Sequence, residues 1–396
     1  MAGDRKGIRW MRAALLLAAA ALVGCGGGGG GGDDDDEDRP AAFAVLGQAD
    51  FAAHQANRGA PASALGLAQP LGGVATDGAR FYVADFGNNR VLGWDDIPDA
   101  GPGAADFVLG QADFSGTAPG TSAMALALPA GIAIGNGRFA VADAGNNRVL
   151  IWNTLPGAGD APDVVIGQAD FAGNDPGVGA ARLNFPVAVA LAGNRLFVVD
   201  QGNHRVLIWN SVPTVSGAAA DVVLGQPDFD TVTAGDEEEG LDNPAGLWSD
   251  GFRLLVADSG NNRVMYWAQV PRTSGASASY VIGQTDFART ASGTSSQGMF
   301  TPFGVASDGT RIYVADSSNN RVLRFDSFPI ASGAAAGEVY GQATFSSRVA
   351  NDTDEDGDSD DEASEETLST PTGVALFSGV LYVTDRNNHR VLLFPG

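Results

Sequence analysis

A chain of 396 residues with 44% hydrophobic and 18% charged residues has the composition of a folded protein with a sizeable core. Its formal net charge of −24 repels phosphate backbones and argues against nucleic acid as a partner. One cysteine leaves no intrachain disulfide to be made.

The N-terminus reads as an address. Arg5, Lys6, Arg9 and Arg12 precede an apolar stretch from Ala13 to Val23, which is well short of the roughly 20 residues a membrane-spanning helix needs. The stretch ends in Leu22-Val23-Gly24-Cys25, which resembles a bacterial lipobox. That resemblance implies a signal peptide over residues 1–24 and a lipid on the Cys25 thiol. It also implies an envelope location, with Gly26 after the cysteine favouring the outer membrane. Glycines at 26–32 and the acidic run Asp33–Asp38 then read as a flexible, solvated tether over residues 25–41. The anchor is the expected contact with the membrane.

From residue 42 onward the chain repeats itself. The string Ala84-Asp85-Phe86-Gly87-Asn88-Asn89-Arg90-Val91-Leu92 recurs in variant form, with leading aspartates Asp85, Asp143, Asp200, Asp258, Asp316 and Asp385. A second marker, Gly-Gln, falls at Gln48, Gln111, Gln168, Gln226, Gln284 and Gln342, usually followed by x-Asp-Phe. Each unit carries four short strand signals of β-branched and aromatic residues bounded by turn residues. Asp77-Gly78, Asn136-Gly137, Gly193-Asn194, Asp250-Gly251 and Asp308-Gly309 suit the tight hairpins between the first two strands. Six units of four antiparallel strands predict an all-β, six-bladed β-propeller over residues 42–396. The first strand signal, Ala44–Gly47, is of the outermost type, and the last, Val391–Phe394, is of the third type. Their pairing would complete the last blade and close the ring.

The phrase Pro-x-Gly-Val-Ala-x-Asp-Gly…Tyr-Val-Ala-Asp-x-x-Asn-Asn-Arg-Val, clearest at Pro302–Val322 and nearly matched at Pro70–Val91, resembles the NHL repeat. With the added Gly-Gln-x-Asp-Phe element it looks like a bacterial lipoprotein subgroup of NHL propellers. The resemblance implies the fold and leaves the activity open, because such propellers serve binding, sensing and lyase chemistry alike.

Repeated residues are expected to serve the fold, since a single active site needs asymmetry. The Asp and Arg of the motif are read as paired with one another, within a blade or between blades. Trp94, Trp152, Trp209, Trp267, Phe325 and Phe394, at the ends of third strands, are read as inter-blade packing. The histidines are His54, His204 and His389. They fall short of a zinc site with three well-placed ligands, and no catalytic triad is visible, so no catalytic residue is assigned.

Loops between strands two and three share a face with the crossovers between blades, and that face is the expected binding surface. Its candidate residues are Asn89, Asn147, His204, Asn262, Asn320 and His389 at the motif turns, with Asp236, Glu237, Glu238 and Glu239 on one crossover. An acidic insertion at 351–368 holds Asp352, Asp354, Asp356, Asp358, Asp360 and Glu362. Asp-x-Asp-x-Asp-Gly resembles the front of a calcium loop, but Ala363 stands where a closing Glu is needed. The composition favours a disordered acidic loop, with weak calcium binding as the alternative. The reading is an anchored, monomeric scaffold for a protein or a small polar or cationic ligand. Its rivals are a metal-dependent propeller hydrolase or lyase, lactonase-like or amidating-lyase-like, and a structural envelope protein.

Overall fold

The computed structural model describes residues 39–98 and 103–396. The signal segment, Cys25 and the polyglycine run lie outside the described residues. Among the described residues no helix is long and apolar enough to cross a membrane. Arg39–Gly396 form one compact unit.

Six four-stranded antiparallel sheets follow one another along the chain. In blade one the strands are Val74–Thr76, Phe81–Asp85, Arg90–Trp94 and Phe107–Leu109, counted from the axis outward. Blades two to five repeat this order, beginning at Pro129, Pro186, Pro244 and Pro302. Blade six takes Pro371–Phe377, Val380–Asp385 and Arg390–Pro395 from the C-terminal end and Ala44–Leu46 from the N-terminal end. The closing register pairs Ala44 with Leu393, Val45 with Leu392 and Leu46 with Val391. The expected ring closure is therefore the observed one.

Blades pack face to face through their second and third strands. Tyr82 of blade one meets Phe139 of blade two with ring centroids 4.5 Å apart. Phe81 meets Tyr382 across the closing seam at 5.2 Å. Trp94, Trp152, Trp209, Trp267, Phe325 and Phe394 are all buried, as inter-blade packing requires. The hairpin glycines Gly78, Gly137, Gly193, Gly251 and Gly309 have φ between 61° and 94°, a range that glycine enters without steric cost.

Each blade is pinned by an ion pair with no exposed side-chain surface. Asp85 and Arg90 face each other across strands two and three, with Nε 2.7 Å from Oδ2. The pair recurs as Asp143–Arg148, Asp200–Arg205, Asp258–Arg263, Asp316–Arg321 and Asp385–Arg390, at 2.7 to 2.8 Å. The other oxygen of each aspartate accepts a backbone N–H from the incoming crossover, for example Ala68 at 2.7 Å. The rest of each guanidinium is spent on carbonyls. Arg90 donates to Ser63 and Gly66 on the incoming crossover and to Phe114 on the outgoing one. Burial pushes all six carboxyls above their ordinary range, Asp258 to about 6, and the paired arginine opposes that rise. A carboxylate so placed depends on its partner.

The closing strand and the buried pair can each be tested by removal. Deleting residues 42–51 takes away four buried aliphatic side chains, Ala42, Ala44, Val45 and Leu46, and bares the edge of the third strand of blade six. Calorimetry should find the melting temperature lowered by about 10 °C or more, with aggregation on size exclusion; an unchanged melting temperature would refute the closure. Arg205→Met strands Asp200 without a cation and takes the guanidinium donor from the carbonyls of Gly179, Arg182 and Phe229. Denaturant unfolding should register a loss of about 3–5 kcal/mol, against under about 1 kcal/mol for the exposed pair removed by Arg289→Met.

Candidate functional site

The crossover face carries the motif turns, and there the structure reveals a second repeated device. Asn89, Asn147, His204, Asn262, Asn320 and His389 all have φ between 51° and 54°, the left-handed region that Asn and His tolerate better than most residues. Each reaches into the next blade. The Oδ1 of Asn89, Asn147, Asn262 and Asn320 accepts the N–H of Leu128, Phe185, Thr301 and Thr370 at 2.7 to 2.8 Å. In the other two blades the imidazole Nδ1 takes that place. His204 accepts from Asn243 at 3.0 Å and His389 from Gln69 at 2.8 Å.

The residues so held are themselves left-handed, with φ of 45° to 53°, and each precedes the proline that leads into a blade. A non-glycine residue in that conformation costs about 1–2 kcal/mol. The clasp from the preceding blade keeps it there. Of the ten candidate binding residues, these six therefore spend their hydrogen bonds within the protein.

The Gly-Gln marker also finds a role. The carboxamide of Gln111 donates to the carbonyls of Asn89 at 2.8 Å and Ala118 at 2.9 Å. Gln48, Gln168, Gln226, Gln284 and Gln342 make the matching pair of bonds. The side chain staples each outgoing crossover to the motif turn.

Asp236, Glu237, Glu238 and Glu239 form an acidic loop in which the three glutamates are exposed. Their loop is nonetheless anchored, because Arg263 donates to the carbonyls of Asp236 at 2.8 Å and Glu237 at 3.1 Å. Glu239 accepts from the Ser277 hydroxyl at 2.7 Å. Acidic side chains are thus displayed on a backbone that the core holds still.

The acidic insertion, expected as a disordered segment, is a defined loop. Asn351 and Asn388 exchange amide hydrogen bonds at 2.8 and 3.0 Å, and Ala363 is buried. Arg39 pairs with Glu355 at 3.0 Å and Glu366 at 3.2 Å, so residues assigned to the tether begin to dock there. Carboxylate oxygens of Asp352, Asp354 and Asp356 lie within 4.8 Å of one another, close enough to share one hard cation. The other three calcium candidates do not join them. Asp360 accepts from Thr353, Asp358 is exposed, and Glu362 lines a separate groove with His54 and Arg58.

The axial channel, a cavity of about 280 Å³, is lined by first-strand residues such as Val74, Ile132, Val189, Leu247, Val305 and Val374. None of its lining residues is titratable. On the crossover side Leu71, Phe86, Phe185 and Phe303 pack in one apolar cluster.

The His389 clasp depends on a neutral ring. Burial, then the nearby His54 and Arg386, hold its pKa below the ordinary 6.5. Below about pH 6.5 the unfolded chain therefore binds a proton that the folded chain resists, and stability falls. His389→Asn keeps the acceptor and removes the proton. Its melting temperature should drop less than that of the unaltered chain between pH 7 and pH 5, and an equal drop would exclude the histidine as the cause.

Comparison with known proteins bears on the fold. Residues 126–152 and 368–394 match the family model described as NHL repeat. The search of curated proteins finds no match. Among solved structures, a gluconolactonase from Xanthomonas campestris is similar at 17% identity and a TM-score of 0.47, covering 90% of this chain and 99% of that one. A virginiamycin B lyase from Staphylococcus aureus, in a catalytically inactive form with quinupristin, is similar at 11% identity and a TM-score of 0.44, covering 83% and 95%. Likenesses this distant say nothing about activity. The two matched segments span the first three strands of blades two and six, and the same Asp–Arg motif stands in register in the other four blades: the chain is a six-bladed β-propeller with matched NHL repeats in two of its blades.

Proposed function

We propose that this propeller is a binding scaffold at the bacterial cell envelope, held by a lipid on Cys25, and that its crossover face engages a protein or a small cationic ligand. The observation that carries this reading is the division of labour on that face. The repeated polar residues are consumed by the fold, while Glu237 and Glu238 stand exposed beside Asp236 on a loop clamped from below by Arg263. A charged loop with a fixed backbone loses little entropy on binding and steers a cationic partner toward it. The uncharged lining of the channel weighs against the rival reading of a hydrolase or lyase working through a cation on the axis. The Asp352, Asp354 and Asp356 oxygens would supply at most part of a weak calcium site on the same face.

Photocrosslinking in living cells tests the assignment of the face. A photoreactive residue in place of Glu238 should give discrete adducts, which Glu237→Gln with Glu239→Gln diminishes. The same residue in place of Phe252, on the hairpin face, should give none of those adducts. Adducts at Phe252 alone would reverse the assignment. In the same cells Cys25→Ala should release the protein from the membrane fraction.

A further inference from the structure

The outer rim holds a site that repetition alone does not explain. The fourth strand of a blade is an edge, and an edge with free N–H and C=O groups invites pairing. In blades two, three and four the linker between the third and fourth strands of the next blade covers that edge. Val165 of blade two donates its N–H to Ser216 Oγ at 3.2 Å and accepts from Gly217 N–H at 2.9 Å. Val223 is covered by Ser274 and Gly275 at 3.2 and 3.0 Å. Val281 is covered by Ser332 and Gly333 at 3.2 and 3.1 Å. One Ser-Gly step thus caps one edge residue, three times over.

Blade one has such a linker beside it and yet lacks the cap. Its edge residue is Val108, which pairs inward with Leu92 as Val165 pairs with Leu150. The covering linker of blade two reads Pro156-Gly157-Ala158-Gly159-Asp160-Ala161-Pro162. It is one residue shorter between its leading Pro and Asp163 than the linker Pro213–Asp221, and it has no Ser-Gly. Val108 has no hydrogen bond to it among the described residues. What lies there is a groove of about 640 Å³ between the edge and residues 158–160.

Phe107, Leu109, Met124 and Trp152 are among the groove's apolar walls. Gly93, on the third strand where blades two and three have Ile151 and Ile208, leaves room for the Phe107 ring to lie over it. Three exposed carboxylates, Asp106, Asp113 and Asp160, border the groove.

We infer that this groove is a docking site for an extended polypeptide segment that caps Val108 as Ser-Gly caps the edges of blades two, three and four, with basic residues flanking its small centre. The backbone groups supply affinity in the manner of strand addition, and the apolar walls take a small aliphatic side chain beside the Ser-Gly step. The bordering carboxylates select positive charge. The groove runs from the outer edge of blade one onto the crossover that carries Asp113 and Met124, a different crossover from the one that carries Asp236–Glu239, so the two assignments are tested at different residues.

The probe is a fluorescent peptide that copies residues 212–218, Val-Pro-Thr-Val-Ser-Gly-Ala, with a lysine added at each end. It is titrated against the full purified chain and followed by anisotropy. Saturable binding is expected, weakened by salt and by glutamate in place of the lysines. Two variants locate it. Replacing residues 157–162 with the sequence of 214–220 fills the groove from within and should weaken binding about tenfold or more while the melting temperature holds or rises. Val108→Pro removes the outward N–H at an edge position that tolerates proline and should also weaken binding about tenfold. Glu237→Gln with Glu238→Gln should leave it unchanged. No saturable binding at millimolar peptide, or binding unchanged by both groove variants, overturns the proposal.

Discussion

Everything in this ring depends on a guanidinium buried beside a carboxylate. Neither group could be taken out of water alone, and together they still leave hydrogen-bonding capacity to be filled. The chain fills it with its own crossover backbone. Arg90, Arg148, Arg205, Arg263, Arg321 and Arg390 each hold carbonyls from the segment that enters the blade and the segment that leaves it. Crossovers that would otherwise be long, weakly packed loops become fixed to the sheet. The electrostatic cost of the buried pair is offset by order in the loops, and that order presents the acidic side chains.

A second layer links one blade to the next. The Asn or His at the turn holds a left-handed residue at the start of the following blade, and the Gly-Gln carboxamide holds the turn itself. Blade-to-blade register thus does not rest on apolar contact alone, which tolerates sliding between similar surfaces. Strained backbone and directional hydrogen bonds specify one relative placement, six times around the ring.

Much of this was legible in the sequence, for a plain reason. A motif repeated six times averages out local ambiguity, so the strand count, the blade order and the closing strand at Ala44–Leu46 could all be read from spacing. That Asp and Arg pair could be read as well, because both recur at a fixed offset, but only the structure places Asp85 and Arg90 together within one blade. The clasp could not. Gln69, Leu128 and Phe185 share no chemistry that marks them as left-handed, and only the contact with the preceding blade imposes it. His204 and His389 looked like the asymmetry that function requires, yet an imidazole nitrogen and an amide oxygen accept the same N–H. The order of the acidic insertion was hidden because composition reports charge and not the Asn351–Asn388 exchange beneath it. The groove beside Val108 follows from a missing Ser-Gly step, which acquires meaning only once the linker is known to cover a neighbour.

The ring closure also sets how the molecule carries mechanical load. A pull on the chain from its N-terminal side is directed toward the closing strand, the element whose loss opens the ring. Arg39 stands ahead of that strand, paired with Glu355 and Glu366, and Ala42 donates its N–H to Glu365. Tension would therefore meet the acidic insertion before it meets Ala44–Leu46. The insertion would thus share a pull with the seam through its contacts to Arg39 and Ala42.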